Sequence, residues 1–306
     1  AAFFARQAFF AAFATKFMVQ TLSEALAISE DCRVITGGTS PFVIVHTNKA
    51  WSKLTGFKFV EIAYKTSGFL QGPATEEDVV KRLKAGVHEG TEVQVRLVNY
   101  TKSGNPFYNT IRCIPLKNTK GVITHYCGVL SGEPVPEGAI PKWERVWDSS
   151  AWERVWDPSS EEVDVEDVQS ESAPEAVEPE IKRARRHVTL SQALDNTKDA
   201  VVMTQATPPY KITHVNQPWI EMCGYSMEEV EGMTNSILQG PETDKAAANN
   251  LIGHLQKGES GSATLVNYKK GGIRFVNHVS VHPVYNDADE LDQFMALLHE
   301  VDEKAL

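Results

Sequence analysis

The sequence predicts an α+β protein of two tandem domains, each a five-stranded antiparallel sheet with short helices on one face. The first observation behind this prediction is an internal duplication, because the chain aligns with itself without a gap at an offset of 168 residues. TLSEAL at 21–26 meets TLSQAL at 189–194, and LVNYTKSG at 97–104 meets LVNYKKGG at 265–272. The second is the length of each copy, which at about 110 residues matches an ordinary domain. The third is the alternation of apolar and polar residues late in each copy, which is typical of strands.

The order of elements within one copy follows from local sequence signals. The segments are, in chain order, a short helix TLSEALAIS, strands CRVIT and FVIVHTN, short helices WSKLTGF and FVEIAY, a long helix within GPATEEDVVKRLKAGVHEG, and strands TEVQVRLVNYT, PFYNTIRCIPLK and GVITHYCGVL. Proline and acidic residues begin the long helix, and glycine ends it. KSGN forms a hairpin turn between the first two strands of the closing three-stranded meander.

Composition and charge exclude several classes of function. A hydrophobic content of 42% and a charged content of 23% are values of a folded protein. The net charge of −10 and the isoelectric point near 5.4 argue against nucleic acid as a partner. The four cysteines form no CxxC motif and no Cys/His cluster, so we expect no zinc site, no disulfide framework and a reducing, intracellular compartment. No run of about 18 apolar residues occurs, so no membrane span is predicted.

Residues 1–18 form an extension that is rich in Ala and Phe and contains no acidic residue. Phe3, Phe10, Phe13 and Phe17 fall on one face of a helix, which favours an amphipathic helix packed on a domain. A basic, acid-poor start is also typical of organellar transit peptides. Under the second interpretation the protein is expected in a plastid.

The linker at 133–186 separates domain 1 (19–132) from domain 2 (187–302) and differs from both in composition. The motif WERVWD occurs in it twice, at 143–148 and 152–157. These motifs hold four of the six tryptophans of the chain: Trp143, Trp147, Trp152 and Trp156. Two Trp residues four apart lie on one face of a helical turn, and exposed Trp is unusual. We therefore expect the motifs to dock on a neighbouring domain or on a neighbouring molecule.

The rest of the linker is dominated by charge. Residues 159–180 are acidic, contain Pro and Ser, and hold few large apolar residues, which is typical of a flexible tether. KRARR at 182–186 follows this acidic stretch, so we interpret it as a solvated or self-paired run of charge and not as a nucleic-acid patch.

No sequence signal of an enzyme or of a metal site is present. The chain contains no nucleophile motif, Walker loop, dinucleotide-binding fingerprint or HExxH motif. His46 and His214 recur at the offset of the duplication, and a structural hydrogen bond at each is the simplest account. His278 and His282 lie four apart on a predicted strand and have no acidic or Cys neighbour in sequence, so no metal site is predicted.

The order of elements, the repeated FLQGP and ILQGP segments, and LVNY followed by SG and FYN resemble PAS domains, and specifically their flavin-binding LOV subgroup. The resemblance covers both copies. In that family the loop before the long helix reads Asn-Cys-Arg-Phe-Leu-Gln-Gly. Its Cys forms a light-driven adduct with the flavin C4a atom, and its Arg binds the FMN phosphate.

The resemblance implies that the photochemical positions have changed in both copies. Ser67 and Asn235 occupy the position of the Cys, and a hydroxyl or an amide cannot replace a thiol as the nucleophile. Gly68 and Ser236 replace the Arg, which removes a charge-assisted contact to phosphate. The Gln of the last strand that senses flavin N5 is replaced in both copies, by Leu130 and Leu298.

Other positions of the ring pocket are retained. If flavin binds, the resemblance implies contacts from Gln71, Lys84, Asn99, Asn109, Gln239, Asn267 and Asn277. The four Asn residues match those that face the flavin pyrimidine edge, and Lys84 stands in for a second phosphate-binding Arg that Ile252 cannot replace in the other copy. Because protein cores tolerate few voids, an unused pocket is expected to be filled by side chains. We therefore expect no cofactor, with FMN as the alternative.

These features together predict a non-catalytic tandem PAS scaffold that has lost LOV photochemistry. It is expected to associate with itself, as a homo-oligomer or lattice, through the PAS sheets and the Trp motifs. Two alternatives stay open: a light or redox sensor that binds FMN without a cysteinyl adduct, and a PAS regulator of another small ligand.

Overall fold

The structure, a computed structural model, describes residues 19–144, 188–286 and 288–305. The extension at 1–18, the acidic tether and the KRARR run lie outside the described residues. So do three of the four linker tryptophans: Trp147, Trp152 and Trp156.

Domain 1 is a five-stranded antiparallel sheet with helices on one face. Its elements are α1 (Leu22–Leu26), β1 (Cys32–Gly37), β2 (Ile44–Thr47), α2 (Lys49–Thr55), α3 (Phe59–Ile62), a 3-10 turn (Ser67–Leu70), α4 (Glu77–His88), β3 (Val93–Tyr100), β4 (Pro106–Lys117) and β5 (Ile123–Pro134). The strand order is β2-β1-β5-β4-β3. The expected domain boundary at 132 falls within β5.

Domain 2 repeats this arrangement. Its elements are β6 (Val188–Thr189), α5 (Leu190–Leu194), β7 (Ala200–Gln205), β8 (Ile212–Val215), α6 (Gln217–Cys223), α7 (Met227–Val230), a 3-10 turn (Asn235–Leu238), α8 (Lys245–Lys257), β9 (Gly261–Tyr268), β10 (Arg274–Tyr285), β11 (Leu291–Val301) and a final 3-10 turn (Glu303–Ala305). Strands β8-β7-β11-β10-β9 reproduce the sheet of domain 1. The two-residue β6 adds a sixth strand to this sheet, since Val188 and Thr189 pair in parallel with the end of β10. The sequence does not predict this strand.

Asparagines begin the equivalent helices α2 and α6. Asn48 Oδ1 accepts the N–H groups of Trp51 (3.1 Å) and Arg33 (3.0 Å), so one side chain both caps α2 and holds it to β1. Asn216 does the same for α6 and β7, accepting from Trp219. Both helices end in a glycine with a left-handed backbone.

Alternate residues of each sheet enter two different apolar clusters. On β1, Val34 belongs to an inner cluster beneath the helices, with Trp51 and Phe69, whereas Ile35 belongs to an outer cluster with Leu116. The counterparts of these residues in domain 2 divide in the same way. Trp51 and its counterpart Trp219 are both fully buried.

Both clusters cross from one domain to the other. The inner cluster joins Phe59 of α3 to its own counterpart, Met227 of α7, and the outer cluster joins Leu22 of α1 to Leu190 of α5. Equivalent helices therefore contact each other, α1 with α5 and α3 with α7. Contact between equivalent elements is the property of a two-fold axis, so the duplication has produced a pseudo-two-fold pair of domains within one chain.

Candidate functional site

Two equivalent histidines meet at the pseudo-two-fold axis. His46 of β2 and His214 of β8 lie with their Nδ1 atoms 3.0 Å apart. One ring must donate and the other accept, which requires the accepting imidazole to be neutral. Burial, with a contribution from Arg33, lowers the pKa of His46 to about 3, and burial with the neighbouring His46 holds the pKa of His214 well below its ordinary value. The structural hydrogen bond expected for each histidine is a bond between the two.

One half of the interface between the domains is polar. Glu228 Oε1 accepts the Ser52 hydroxyl (2.9 Å) and the Phe59 N–H (2.7 Å). Glu231 Oε2 accepts the Lys49 N–H (2.5 Å), and burial raises the pKa of Glu231. Both carboxylates belong to domain 2, and all three donors belong to domain 1.

The other half of the interface is apolar. Val60 and Ala63 occupy the positions in domain 1 that match the two glutamates, and both pack against the inner cluster, as does Ile220 of domain 2. Two copies of domain 1 paired in this way would leave the three donors without a carboxylate. Two copies of domain 2 would place Glu228 against Ile220, the counterpart of Ser52. The interface therefore favours the pairing of unlike domains.

A pocket of about 210 Å³ lies between the sheet and helices of domain 1. Five of the predicted site residues line it: Ser67, Gly68, Gln71, Lys84 and Leu130. Asn99 and Asn109 are not among the lining residues. Side chains therefore do not fill the pocket completely, and the wall includes two glycines, Gly68 and Gly128, together with larger side chains.

The wall of this pocket also contains a thiol that the sequence analysis did not single out. Cys113 lies on β4, four residues after Asn109, and therefore on the same face of the strand. Strand alternation alone would have identified it. Burial, with a contribution from Glu92, raises the pKa of Cys113 to about 12, so the sulfur stays protonated.

The matching pocket of domain 2 is larger, about 330 Å³. All six predicted site residues of this domain line it: Asn235, Ser236, Gln239, Asn267, Asn277 and Leu298. The described residues of its wall include no Lys or Arg, and Ile252 lies where Lys84 lines the pocket of domain 1.

The paired asparagines leave one oxygen without a partner in each domain. Asn109 Nδ2 donates to Asn99 Oδ1 (2.8 Å), and Asn277 Nδ2 donates to Asn267 Oδ1 (2.9 Å). Asn109 and Asn277 are fully buried, and their Oδ1 atoms have no hydrogen-bond partner among the described residues. A buried acceptor left unpaired costs about 1–3 kcal/mol. A ligand N–H group would satisfy it.

The two pockets fit a flavin only in part. In domain 2 the Asn pair lines the pocket and offers an acceptor to the N–H of a planar ring, as the resemblance implies, whereas the Asn pair of domain 1 lies outside the lining of its pocket. Ser67 in one pocket and Asn235 in the other occupy the position of the family's Cys, and neither side chain has a thiol. In domain 2 the wall offers no cation to an FMN phosphate. Ring binding is therefore compatible with these residues, whereas adduct formation from the family's position is not.

The first WERVWD motif begins on domain 1. The Trp143 N–H donates to the Gly104 carbonyl (2.9 Å), and the Trp143 ring packs edge-on against Tyr100 with centroids 5.4 Å apart. A methyl group added at Gly72 would lie 2.7 Å from the Trp143 ring. Gly72, Tyr100 and Gly104 thus form a notch that holds this tryptophan, as expected for docking on a neighbouring domain.

Among the described residues, no three His, Cys, Asp or Glu side chains lie close enough together to hold a metal ion. His278 instead contacts the Thr264 hydroxyl (3.1 Å). Within the same ranges, none of the helices combines the length and the apolar character that crossing a bilayer requires.

Comparison with known proteins finds relatives of both domains. Protein TWIN LOV 1 of Arabidopsis thaliana is 22% identical over 319 aligned residues, covering 85% of this chain and 80% of that protein. A blue-light-activated histidine kinase of Rhizobium johnstonii is 38% identical over 96 residues, 31% of this chain and 28% of the kinase. Phototropin-2 of Oryza sativa subsp. japonica is 34% identical over 86 residues, which are 10% of its length. The chain thus spans less than a third of the kinase and of the phototropin.

Solved structures of LOV domains and a family profile also match parts of this chain. A light-oxygen-voltage domain from a flavin-analogue study is 28% identical, with a TM-score of 0.35, over 38% of this chain and 86% of that one. The light state of the Aureochrome1 LOV domain is 26% identical, with a TM-score of 0.34, over 38% of this chain and 91% of that domain. The PAS domain family matches residues 32–131 and 198–303, more than half of the chain. The chain therefore belongs to the PAS domain family, as two LOV-like domains in tandem.

Proposed function

We propose that this chain is a non-catalytic scaffold that has lost LOV photochemistry and associates with itself through its WERVWD motifs. The observation that carries the proposal is the docking of Trp143 in the notch of domain 1. The linker contains two copies of this motif, and the chain contains two copies of the domain on which the first motif docks. Because only one motif is needed for this contact, a second motif remains for a second contact.

Part of the outer face of each sheet is buried within the chain, which supports the linker as the site of association between chains. Ile35 and Cys127 of domain 1 and Val201 and Met203 of domain 2 point away from the pockets, and each is fully buried in the outer cluster. A face that is already covered by the neighbouring domain cannot also bind a second chain. The unlike pairing set by Glu228 and Glu231 further favours contact between the domains of one chain.

Light scattering coupled to size-exclusion chromatography tests this function. The full chain is expected to elute colourless and well above its single-chain mass of 33.9 kDa. A variant with all four linker tryptophans changed to alanine is expected at the single-chain mass, because both motifs lose their aromatic anchors. The same high mass in both proteins, or the single-chain mass in both, would contradict the proposal.

A second function is favoured by the unpaired oxygen of Asn277, which lines the pocket of domain 2. This acceptor suits a flavin or another planar ring with an N–H edge, held without a covalent adduct. The similarity to TWIN LOV 1 and to a blue-light-activated kinase supports a sensory role of this kind. The absorbance spectrum recorded in the same chromatography separates the two functions, since a single-chain species with a structured blue band would identify the sensor.

A further inference from the structure

Domain 2 contains the same notch that holds Trp143 on domain 1. Tyr268, Gly240 and Gly272 are the counterparts of Tyr100, Gly72 and Gly104 at the offset of the duplication. Gly272 has φ +81° where Gly104 has φ +79°, so the two hairpin turns have the same backbone shape. The loop beneath is also held alike, since Thr75 and Thr243 each accept a glycine N–H at 2.9 Å and donate to a strand carbonyl at 2.6 Å.

The notch of domain 2 is open among the described residues. A methyl group added at Gly104 would lie 1.9 Å from the Trp143 carbonyl oxygen, whereas one added at Gly272 would meet no described atom within 4 Å. Tyr100 is only 2% exposed beneath Trp143, but Tyr268 is half-buried. Ile273, which follows the notch, is 62% exposed and is among the most exposed large apolar side chains of the described chain.

We propose that the second motif, WERVWD at 152–157, seats Trp152 in the domain 2 notch of a neighbouring copy of the chain. The inference rests on the proposed scaffold function and names its contact. The two motifs have identical sequences, and the three residues of the notch are of the same types in both domains. The domain 1 notch of each chain is already occupied by Trp143, so the second motif meets a free site only on domain 2.

Charge assigns the second motif to domain 2 in particular. The domain 2 notch is bordered by Lys269 and Arg274, where domain 1 has Thr101 and Pro106. The acidic stretch at 159–180 follows the second motif after Pro158, whereas SSA follows the first motif. Lys269 pairs with Glu300, and Arg274 pairs with Glu242 and Glu303. Surface ion pairs of this kind contribute little to stability, so carboxylates of the acidic stretch can compete for the two cations. The acidic stretch therefore complements the border of the notch.

The reach of the linker favours a neighbouring copy over the same chain. Nine residues separate Trp143 from Trp152, so the two positions lie at most about 30 Å apart in a fully extended chain. This limit restricts the sites of the same chain that Trp152 can reach. Docking on a neighbouring copy is free of the limit, and it supplies the contact between chains that self-association requires. It joins unlike surfaces, motif to notch, and therefore builds open chains of molecules.

Two variants and their mixture test the contact in the full chain. Ile273→Glu places a carboxylate on the exposed border of the notch, and Trp152→Ala removes the anchor. Val122→Glu is the matched control, because Val122 is similarly exposed (57%) on a hairpin turn of domain 1. We expect the first two variants to have the single-chain mass by light scattering, and Val122→Glu to assemble like the wild type.

The mixture separates docking on a neighbour from docking within the chain. Ile273→Glu retains the motif and Trp152→Ala retains the notch, so an equimolar mixture is expected to form a species of two chains. If the two variants fall to the single-chain mass but the mixture stays there, docking on a neighbour is overturned. If the wild type assembles and both variants assemble equally well, the notch is wrong while the scaffold function stands. A wild type of single-chain mass overturns both.

Discussion

At the scale of single residues, the His46–His214 pair explains why a histidine recurs at the offset of the duplication. One ring donates a hydrogen bond and the other accepts it, with the two Nδ1 atoms 3.0 Å apart at the pseudo-two-fold axis. Protonation of the accepting ring would remove the acceptor, and protonation of either ring would place a charge in a buried site beside Arg33. The contact between the domains is therefore most stable while both rings are neutral.

We predict that the protein loses stability as the pH falls below about 6.5. In this range the unfolded chain takes up protons on both imidazoles, whereas the folded chain does not, because the pKa of His46 is lowered to about 3 and that of His214 is also lowered. Each ring then reduces the free energy of unfolding by at most about 1.4 kcal/mol per pH unit. Urea unfolding between neutral pH and about pH 5 measures the slope.

Two substitutions assign that slope to the pair. His46→Gln removes one titrating ring and is expected to make the dependence on pH less steep. His299→Gln changes an exposed histidine and is expected to leave it as in the wild type. Equal slopes in His46→Gln and the wild type would show that the buried pair does not govern the acid sensitivity.

At the scale of elements, α7 carries the specificity of domain pairing. Its Glu228 satisfies two donors at the beginning of α3 and within α2, while Val60 at the equivalent position of α3 satisfies none. A duplicated surface has thus become two complementary surfaces. This division favours a chain that folds onto itself over exchange of domains between chains.

We predict that Glu228→Ala lowers the free energy of unfolding by about 1–3 kcal/mol, because the Phe59 N–H and the Ser52 hydroxyl both lose their acceptor in a partly buried interface. Glu228→Gln is the matched control, since its amide oxygen retains both hydrogen bonds. Urea unfolding of the two variants gives the comparison. A loss in Glu228→Gln as large as that in Glu228→Ala would assign the effect to charge and not to the acceptor.

The sequence identifies the elements well but not the contacts between the domains. Strand alternation, the glycines that end α2 and α6, and the KSGN turn are local signals, so the order of elements is confirmed in both domains. In the sequence, Glu228 looks like an ordinary surface residue of the MEEV segment. Its role as the acceptor between the domains becomes visible only from the packing of α7 against α3. Pocket volume likewise depends on side chains from several elements, which is why the expected filling of the pockets is wrong.

At the scale of the whole molecule, the chain is a pair of PAS domains in contact with each other, joined by a linker that contains two WERVWD motifs. The outer faces around β1, β5, β7 and β11 are buried inside the chain, and Trp143 of the linker fills the notch of domain 1. Under this account, what remains for contact with other molecules is the second motif and the notch of domain 2. Such a molecule has one donor and one acceptor surface, which suffices for a linear assembly.

Light scattering of the full chain over a dilution series, in the dark and under blue light, examines the proposed assembly and the loss of photochemistry together. We expect masses above 33.9 kDa that decrease on dilution and are the same in both conditions, because neither Ser67 nor Asn235 can form the adduct. A single-chain mass at every concentration would refute the assembly, and a mass that changes with illumination would refute the loss of photochemistry.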